Sequence, residues 1–235
     1  MGNHRTWPLR FLEALRAKGH TVEVLDLPGQ GNDHTPKESV TMQAYADKVV
    51  AQLKTHDEPA ILVGHSMGGV VVTQAANDFV GGGGILSQVV YLTAFLPRNG
   101  QSLLDLAGTP EGQGDQVQAN LQVSGEPPMG VFPHSAAKDA LFNTTSAEAF
   151  KAVEPGSIES QPIIPFTNPV NIEDDRPIVR RYIFALQDRA IPLPLQRRMA
   201  RDTAVVETVE LDCDHMVMYS EPDALVATLD RFARA

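Results

Sequence analysis

The chain has 235 residues, of which 43% are hydrophobic and 20% charged, the make-up of a globular protein with material for one sizeable core. Its 29 acidic and 19 basic residues leave a net charge of −10, which repels phosphate backbones and argues against a nucleic-acid partner. A single cysteine, Cys213, excludes an intrachain disulfide and a thiolate metal cluster, and no window of about 18 uninterrupted apolar residues is present to span a membrane.

The opening MGNHRTWPLR has no apolar stretch of the signal-peptide kind, so a cytoplasmic protein without membrane attachment is expected. Residues 8–19 predict an amphipathic helix, with Pro8 in its first turn, Leu9, Leu12 and Leu15 on one face, and Gly19 at its end. Residues 21–31, TVEVLDLPGQG, predict a short strand over 21–27 closed by a Pro-Gly turn. A second helix follows over 41–54, with Met42, Tyr45, Val49 and Leu53 on one side. The run AILVGHS at 60–66 is apolar without alternation, as in strands buried on both faces of a parallel sheet. A helix over 67–79, a glycine stop at Gly81–Gly84 and a buried strand over 88–95 complete an α-β-α-β-α-β order, which predicts a parallel sheet with helices on both faces.

From Leu96 to about Pro177 that rhythm breaks into a stretch rich in Gly, Pro, Gln, Asn and Ser, with short helical patches such as 146–153. A structureless loop of that length is uncommon in a domain, so 97–177 is read as an inserted cap on a body made of 1–96 and 178–235. The rhythm resumes with a strand at 181–186, a helix near 193–201, a strand at 205–211 and a final helix at 222–233.

Gly64-His65-Ser66-Met67-Gly68 lies between a buried strand and a helix, the setting of a G-x-S-x-G nucleophile elbow. Such a turn forces the serine into a strained backbone conformation, and side chains at Gly64 and Gly68 are expected to collide with neighbouring elements. Ser66 then stands at the carboxyl end of the sheet, and the Met67 amide, at the helix start, can donate to a developing oxyanion. A serine nucleophile needs a base, and the base an orienting acid, in the chain order Ser, Asp or Glu, His.

His134 and His215 are the histidines after Ser66. His134 falls in the insertion, whereas His215, in LDCDHMVMY, lies between a strand and the last helix, where a loop can deliver it to the strand ends. Asp188, immediately after the strand YIFAL, is the best-placed acid; it can also cap the helix after Pro192 or pair with Arg189 or Arg201. Asp212 and Asp214 are too near His215 to orient it from behind and can instead pin its loop. His65 neighbours the nucleophile and points away from it, and Cys213 reads as a small buried filler.

At these residues the chain resembles the plant methylesterase and hydroxynitrile lyase group of α/β-hydrolases and its bacterial carboxylesterase relatives. GHSMGG matches the elbow, QPIIPFTNPV the end of the cap, RYIFALQDRAIPLPLQRRM the acid strand and its helix, and DCDHMVMYSEPDAL the histidine loop. The resemblance implies the α/β-hydrolase fold, with a mostly parallel central sheet, helices on both faces and an inserted cap. It also implies a triad of Ser66, Asp188 and His215 that requires no metal or cofactor.

Members of the group open with a buried strand and an HG-type turn that supplies an oxyanion amide. MGNHRTW looks like the tail of that turn, with Asn3 at the oxyanion position and the strand itself absent. That strand would lie between 21–27 and 60–65, so its absence predicts a rearranged sheet or a weakened oxyanion hole. A normal eight-stranded sheet would refute this.

The function expected is hydrolysis of a small-molecule carboxylic ester. Leu103, Leu104, Leu106, Met129, Val131, Phe132, Leu141 and Phe142 offer an apolar pocket or pack the cap onto the body, and an exposed apolar cap surface would support a homodimer. A ligand-binding or weakly active protein is the second reading. Cyanohydrin cleavage is the third, and it is disfavoured because the lyases of the group resemble one another in a lysine after the histidine, where this chain has Met216.

Overall fold

Two apolar runs without polar alternation need cover on both faces, and they form the sheet. In the computed structural model, which describes residues 3–153, 157–173 and 175–235, the central sheet comprises β1 (Ala60–Ser66), β2 (Leu86–Ala94), β6 (Arg180–Ala185) and β7 (Glu207–Leu211), in the order β1-β2-β6-β7. All three ladders are parallel, with Val63 opposite Val90, Tyr91 opposite Tyr182, and Ile183 opposite Val209. Parallel neighbours need crossovers, supplied by α3 (Gly68–Gly81), the long β2–β6 connection and α9 (Leu193–Asp202).

Alternate residues of β2 face opposite layers. Val89 and Tyr91 join one core with Tyr45 and Val49 of α2 (Met42–Leu53), Val71 of α3 and Leu195 of α9. Val90 and Leu92 join the other, with Phe11 and Leu15 of α1 (Leu9–Ala17) and Leu229 and Phe232 of α11 (Pro222–Ala233). Each such side chain, fully buried, contributes about 1.5–3 kcal/mol.

The β2–β6 connection carries α4 (Leu103–Ala107), α5 (Gln116–Asn120), β3 (Gln122–Ser124), β4 (Met129–Val131), α6 (His134–Ala140), α7 (Ala147–Lys151), β5 (Gln161–Pro162) and α8 (Ile164–Thr167), while α10 (Val217–Ser220) precedes α11. β3, β4 and β5 form a small antiparallel sheet. Side-chain caps start several of the short helices: Ser102 and Asp105 form a reciprocal capping box on α4, Asp115 caps α5 and Ser146 caps α7. Leu103, Leu106, Leu141 and Phe142 are buried in the two cores, whereas Leu104 and Val131 are exposed. Four of the eight apolar residues considered for a pocket therefore pack the connection onto the body.

The strand expected over 21–27 does not form. Exposed Thr21 and Glu23 do alternate with half-buried Val22 and Val24, but the backbone of 21–26 makes no backbone–backbone hydrogen bond among the described residues. A strand exists only through a ladder, and no described residue forms one between this segment and β1. The mid-sheet gap expected between two strands is therefore not found among the described residues, where the sheet simply ends at β1. β1 is an edge strand, and a cavity of about 840 Å³ lies between it and residues 20–25. Met1 and Gly2, which open the turn-like MGNHRTW, lie outside the described residues.

Candidate active site

Ser66 closes β1 with a φ of +57°, a region that non-glycine residues seldom enter. The turn can be this sharp because its glycines let elements close in. A Cβ on Gly64 would stand 2.6 Å from Cγ2 of Val72, and one on Gly69 only 2.1 Å from the carbonyl oxygen of Phe95. The collision expected at Gly68 is absent: a Cβ there meets nothing within 4 Å. The crowded positions are Gly64 and Gly69, because α3 passes the end of β2 at Gly69 whereas Gly68 lines the cavity.

Met67, the residue before α3, is buried, and its amide has no acceptor among the described residues. Asn3 is buried beside the elbow, in the same cavity wall as Gly64 and His65, and Trp7 sets its ring edge-on to His65 at 6.1 Å. The segment holding Asn3 is moored by Asp26. Its Oδ1 accepts from the His4 amide at 2.7 Å and the His4 ring at 2.9 Å, and its Oδ2 accepts from the Asn32 amide. Burial raises the Asp26 carboxyl, but these bonds outweigh it and hold the group below its ordinary value.

His215, wholly buried in the loop between β7 and α10, donates from Nδ1 to Oδ2 of Asp188 at 2.8 Å. Its Nε2 has no partner and is not hydrogen-bonded to Ser66. Apo sites often leave this contact open. The loop is held from two sides. His65 donates from Nε2 to the His215 carbonyl at 2.8 Å, with the two rings 4.7 Å apart. Asp214 accepts from the amides of Thr144, Thr145 and Met216 and from the Thr145 hydroxyl, while its own amide donates to Thr144. Burial first, and then the charge of His215, push His65 well below its ordinary pKa, so it stays neutral.

Asp188 is fixed by amides at its Oδ1, from Ala190 at 2.6 Å and Ile191 at 2.9 Å, and by the Thr93 hydroxyl at Oδ2. It neither caps α9, whose cap is Pro192, nor pairs with Arg189 or Arg201. Ser66, His65, Asp188 and His215 thus all lie at the carboxyl end of the sheet, at or just past the ends of β1, β6 and β7. His134 stands apart, stacked on Phe150 at 5.9 Å, and Asp212 bonds Gln187. Cys213 is buried, which pushes its thiol up to about 12. Thr93 was not singled out from the sequence. It is a β-branched residue at φ +36° near the end of β2, and the one signal was a hydroxyl closing an otherwise apolar run.

A family profile described as "Alpha/beta hydrolase family" matches residues 1–228. The chain is 30% identical to a putative chloroplastic methylesterase 11 of Arabidopsis thaliana, over 96% of this chain and 60% of that protein, and so spans under two thirds of that relative. It is 30% identical to a pyrethroid hydrolase of Sphingobium wenxiniae, over 94% of this chain and 80% of the other. The crystal structure of a pyrethroid hydrolase from Sphingobium faniae JZ-2 superposes with a TM-score of 0.84 at 26% identity, covering 96% of this chain and 90% of that one. No helix among the described residues is long and apolar enough to cross a membrane.

Proposed function

We propose that this chain, which belongs to the alpha/beta hydrolase family, hydrolyses carboxylic esters of small molecules through an acyl-enzyme on Ser66. The observation that carries the reading is the buried His215–Asp188 contact, which leaves Nε2 without a partner, on the same end of the sheet as a serine at φ +57°. In this reading Nε2 takes the Ser66 proton as Oγ attacks the ester carbonyl, and Asp188 stabilises the imidazolium through Nδ1. The tetrahedral oxyanion receives the Met67 amide and a donor from Asn3. Collapse breaks the carbon–oxygen bond, the imidazolium protonates the leaving alkoxide, and water activated by the same histidine then cleaves the acyl-enzyme.

The names of the relatives, a methylesterase and a pyrethroid hydrolase, support ester hydrolysis. Residues 97–177 act in this reading as the cap that sets acyl and alcohol preference. Met216, neutral and buried after the histidine, gives no cation for cyanide and speaks against the lyase reading. The open cavity beside β1 and the absent Ser66–His215 bond favour a second reading, a weakly active protein that mainly binds its ligand. Turnover of p-nitrophenyl acetate and butyrate, compared with a Ser66→Ala variant, separates the two. Turnover that the variant loses supports the esterase. Saturable binding of both esters with no turnover supports the binding protein.

A further inference from the structure

β2 and β6 pair in register as far as Leu92 and Ile183, and beyond that point the ladder between them ends. Side chains satisfy the backbone groups it frees. The Tyr182 hydroxyl donates to the Ala94 carbonyl at 2.6 Å and accepts from the Ala94 amide at 3.1 Å. Gln196, on α9 and wholly buried, does the same for β6. Its Oε1 accepts from the Ala185 amide and its Nε2 donates to the Ala185 carbonyl, both at 3.2 Å.

The Gln196 amide also reaches the far end of the loop that carries Asp188. Nε2 donates to the Ile191 carbonyl at 2.7 Å and stands 3.5 Å from Oδ2 of Asp188. Its two N–H groups thus serve three acceptors, at the entry, the middle and the exit of residues 185–191. Ile191 in turn donates its amide to Oδ1 of Asp188. Oδ2 is the oxygen that holds Nδ1 of His215. A neutral amide suits this place. A lysine or arginine would compete with His215 for the carboxylate, and an apolar side chain would leave Ala185 and Ile191 unpaired in the core.

We propose that Gln196 is a positioning residue for the ester hydrolysis proposed above, on which this inference rests. By gripping both ends of the 185–191 loop, it fixes where Asp188 meets His215, and so which nitrogen of the base carries the proton. It does this from α9, without touching substrate.

Two measurements on the intact protein test this, and one of them needs no turnover. The Nδ1 proton of His215, held on a buried carboxylate, gives a far-downfield proton resonance, assigned by its loss in His215→Ala. Gln196→Met keeps the length of the side chain and deletes the amide. Its downfield resonance should disappear through faster exchange with water. Its kcat on p-nitrophenyl butyrate should fall roughly 10- to 100-fold with KM nearly constant, the loss expected when a catalytic group shifts by about 1 Å. Leu195→Ala, a cavity in the same helix that spares the loop's hydrogen bonds, controls for lost stability and should leave resonance and kcat near wild type. Should Gln196→Met not fold, Gln196→Asn, which withdraws the amide by one carbon, is read in the same way with the same expectation.

The inference is overturned by a folded Gln196 variant that keeps the resonance or the wild-type kcat, or by a wild type with no such resonance. It is equally overturned if Leu195→Ala loses both to the same extent, or if neither Gln196 variant folds, since either result makes Gln196 a residue of stability alone. A wild type that shows the resonance but no turnover refutes the esterase reading, and the resonance then decides the role of Gln196 by itself.

Discussion

Nδ1 of His215 stands 2.8 Å from Oδ2 of Asp188, with both side chains sealed from solvent. A neutral imidazole held this way has its proton on Nδ1 and its lone pair on Nε2, the tautomer a general base needs. Asp188→Asn presents an amide that can invert that assignment without changing shape. We expect kcat on p-nitrophenyl butyrate to fall about ten-thousandfold with the melting temperature little changed. A fall of less than tenfold would remove Asp188 from the mechanism.

Thr93 extends the same chain of contacts by donating to Asp188. Thr93→Val keeps the branched shape and deletes the donor. A hydrogen bond to a charged group contributes about 1.5–3 kcal/mol, so kcat should drop roughly 10- to 100-fold with KM nearly constant. A change confined to KM would place Thr93 in substrate binding instead.

What was legible from sequence follows the strength of the local physics. AILVGHS and QVVYLTAF announce buried strands because nothing else hides so many apolar residues in a row, and both form, over 60–66 and 86–94. The histidine loop and acid turn were legible because a carboxylate after a strand and a histidine before the last helix have few other uses. TVEVLDL misled because its alternation records one sheltered face and says nothing of whether a ladder partner exists. β3, β4 and β5 have two or three residues each, too few for any periodicity to register. Contacts such as Asp214 with Thr144 and Thr145 join positions about 70 residues apart, which no local pattern encodes.

The two helix-start glycines separate cleanly. Gly69→Ala forces a Cβ into the Phe95 carbonyl and should cost about 1–3 kcal/mol, a melting point several degrees lower. Gly68→Ala meets open space and replaces glycine at a helix start, so it should be neutral or slightly stabilising. Thermal melts of both variants check this, and equal losses would contradict the packing described at the elbow.

His65 predicts a pH dependence of stability. Folded His65 resists protonation because burial, and then the His215 charge, depress its pKa. The unfolded residue protonates near its ordinary value of about 6.5. Above that pH neither state binds the proton and stability is full. As pH falls below it, the unfolded state gains a proton the folded state refuses, and stability drops by up to about 1.4 kcal/mol per pH unit. His65→Gln should flatten the melting-temperature decline between pH 7 and 5. Parallel declines in the two proteins would show that His65 is not the group responsible.

The central claim is that Ser66 is a nucleophile activated by His215. Intact mass after a fluorophosphonate, followed by peptide mapping, tests it most directly in the wild type, Ser66→Ala and His215→Ala. We predict one stoichiometric adduct on the peptide containing Ser66, absent in Ser66→Ala and slowed at least a thousandfold in His215→Ala. A folded wild type that takes up no adduct, or carries it on another residue, would contradict the account.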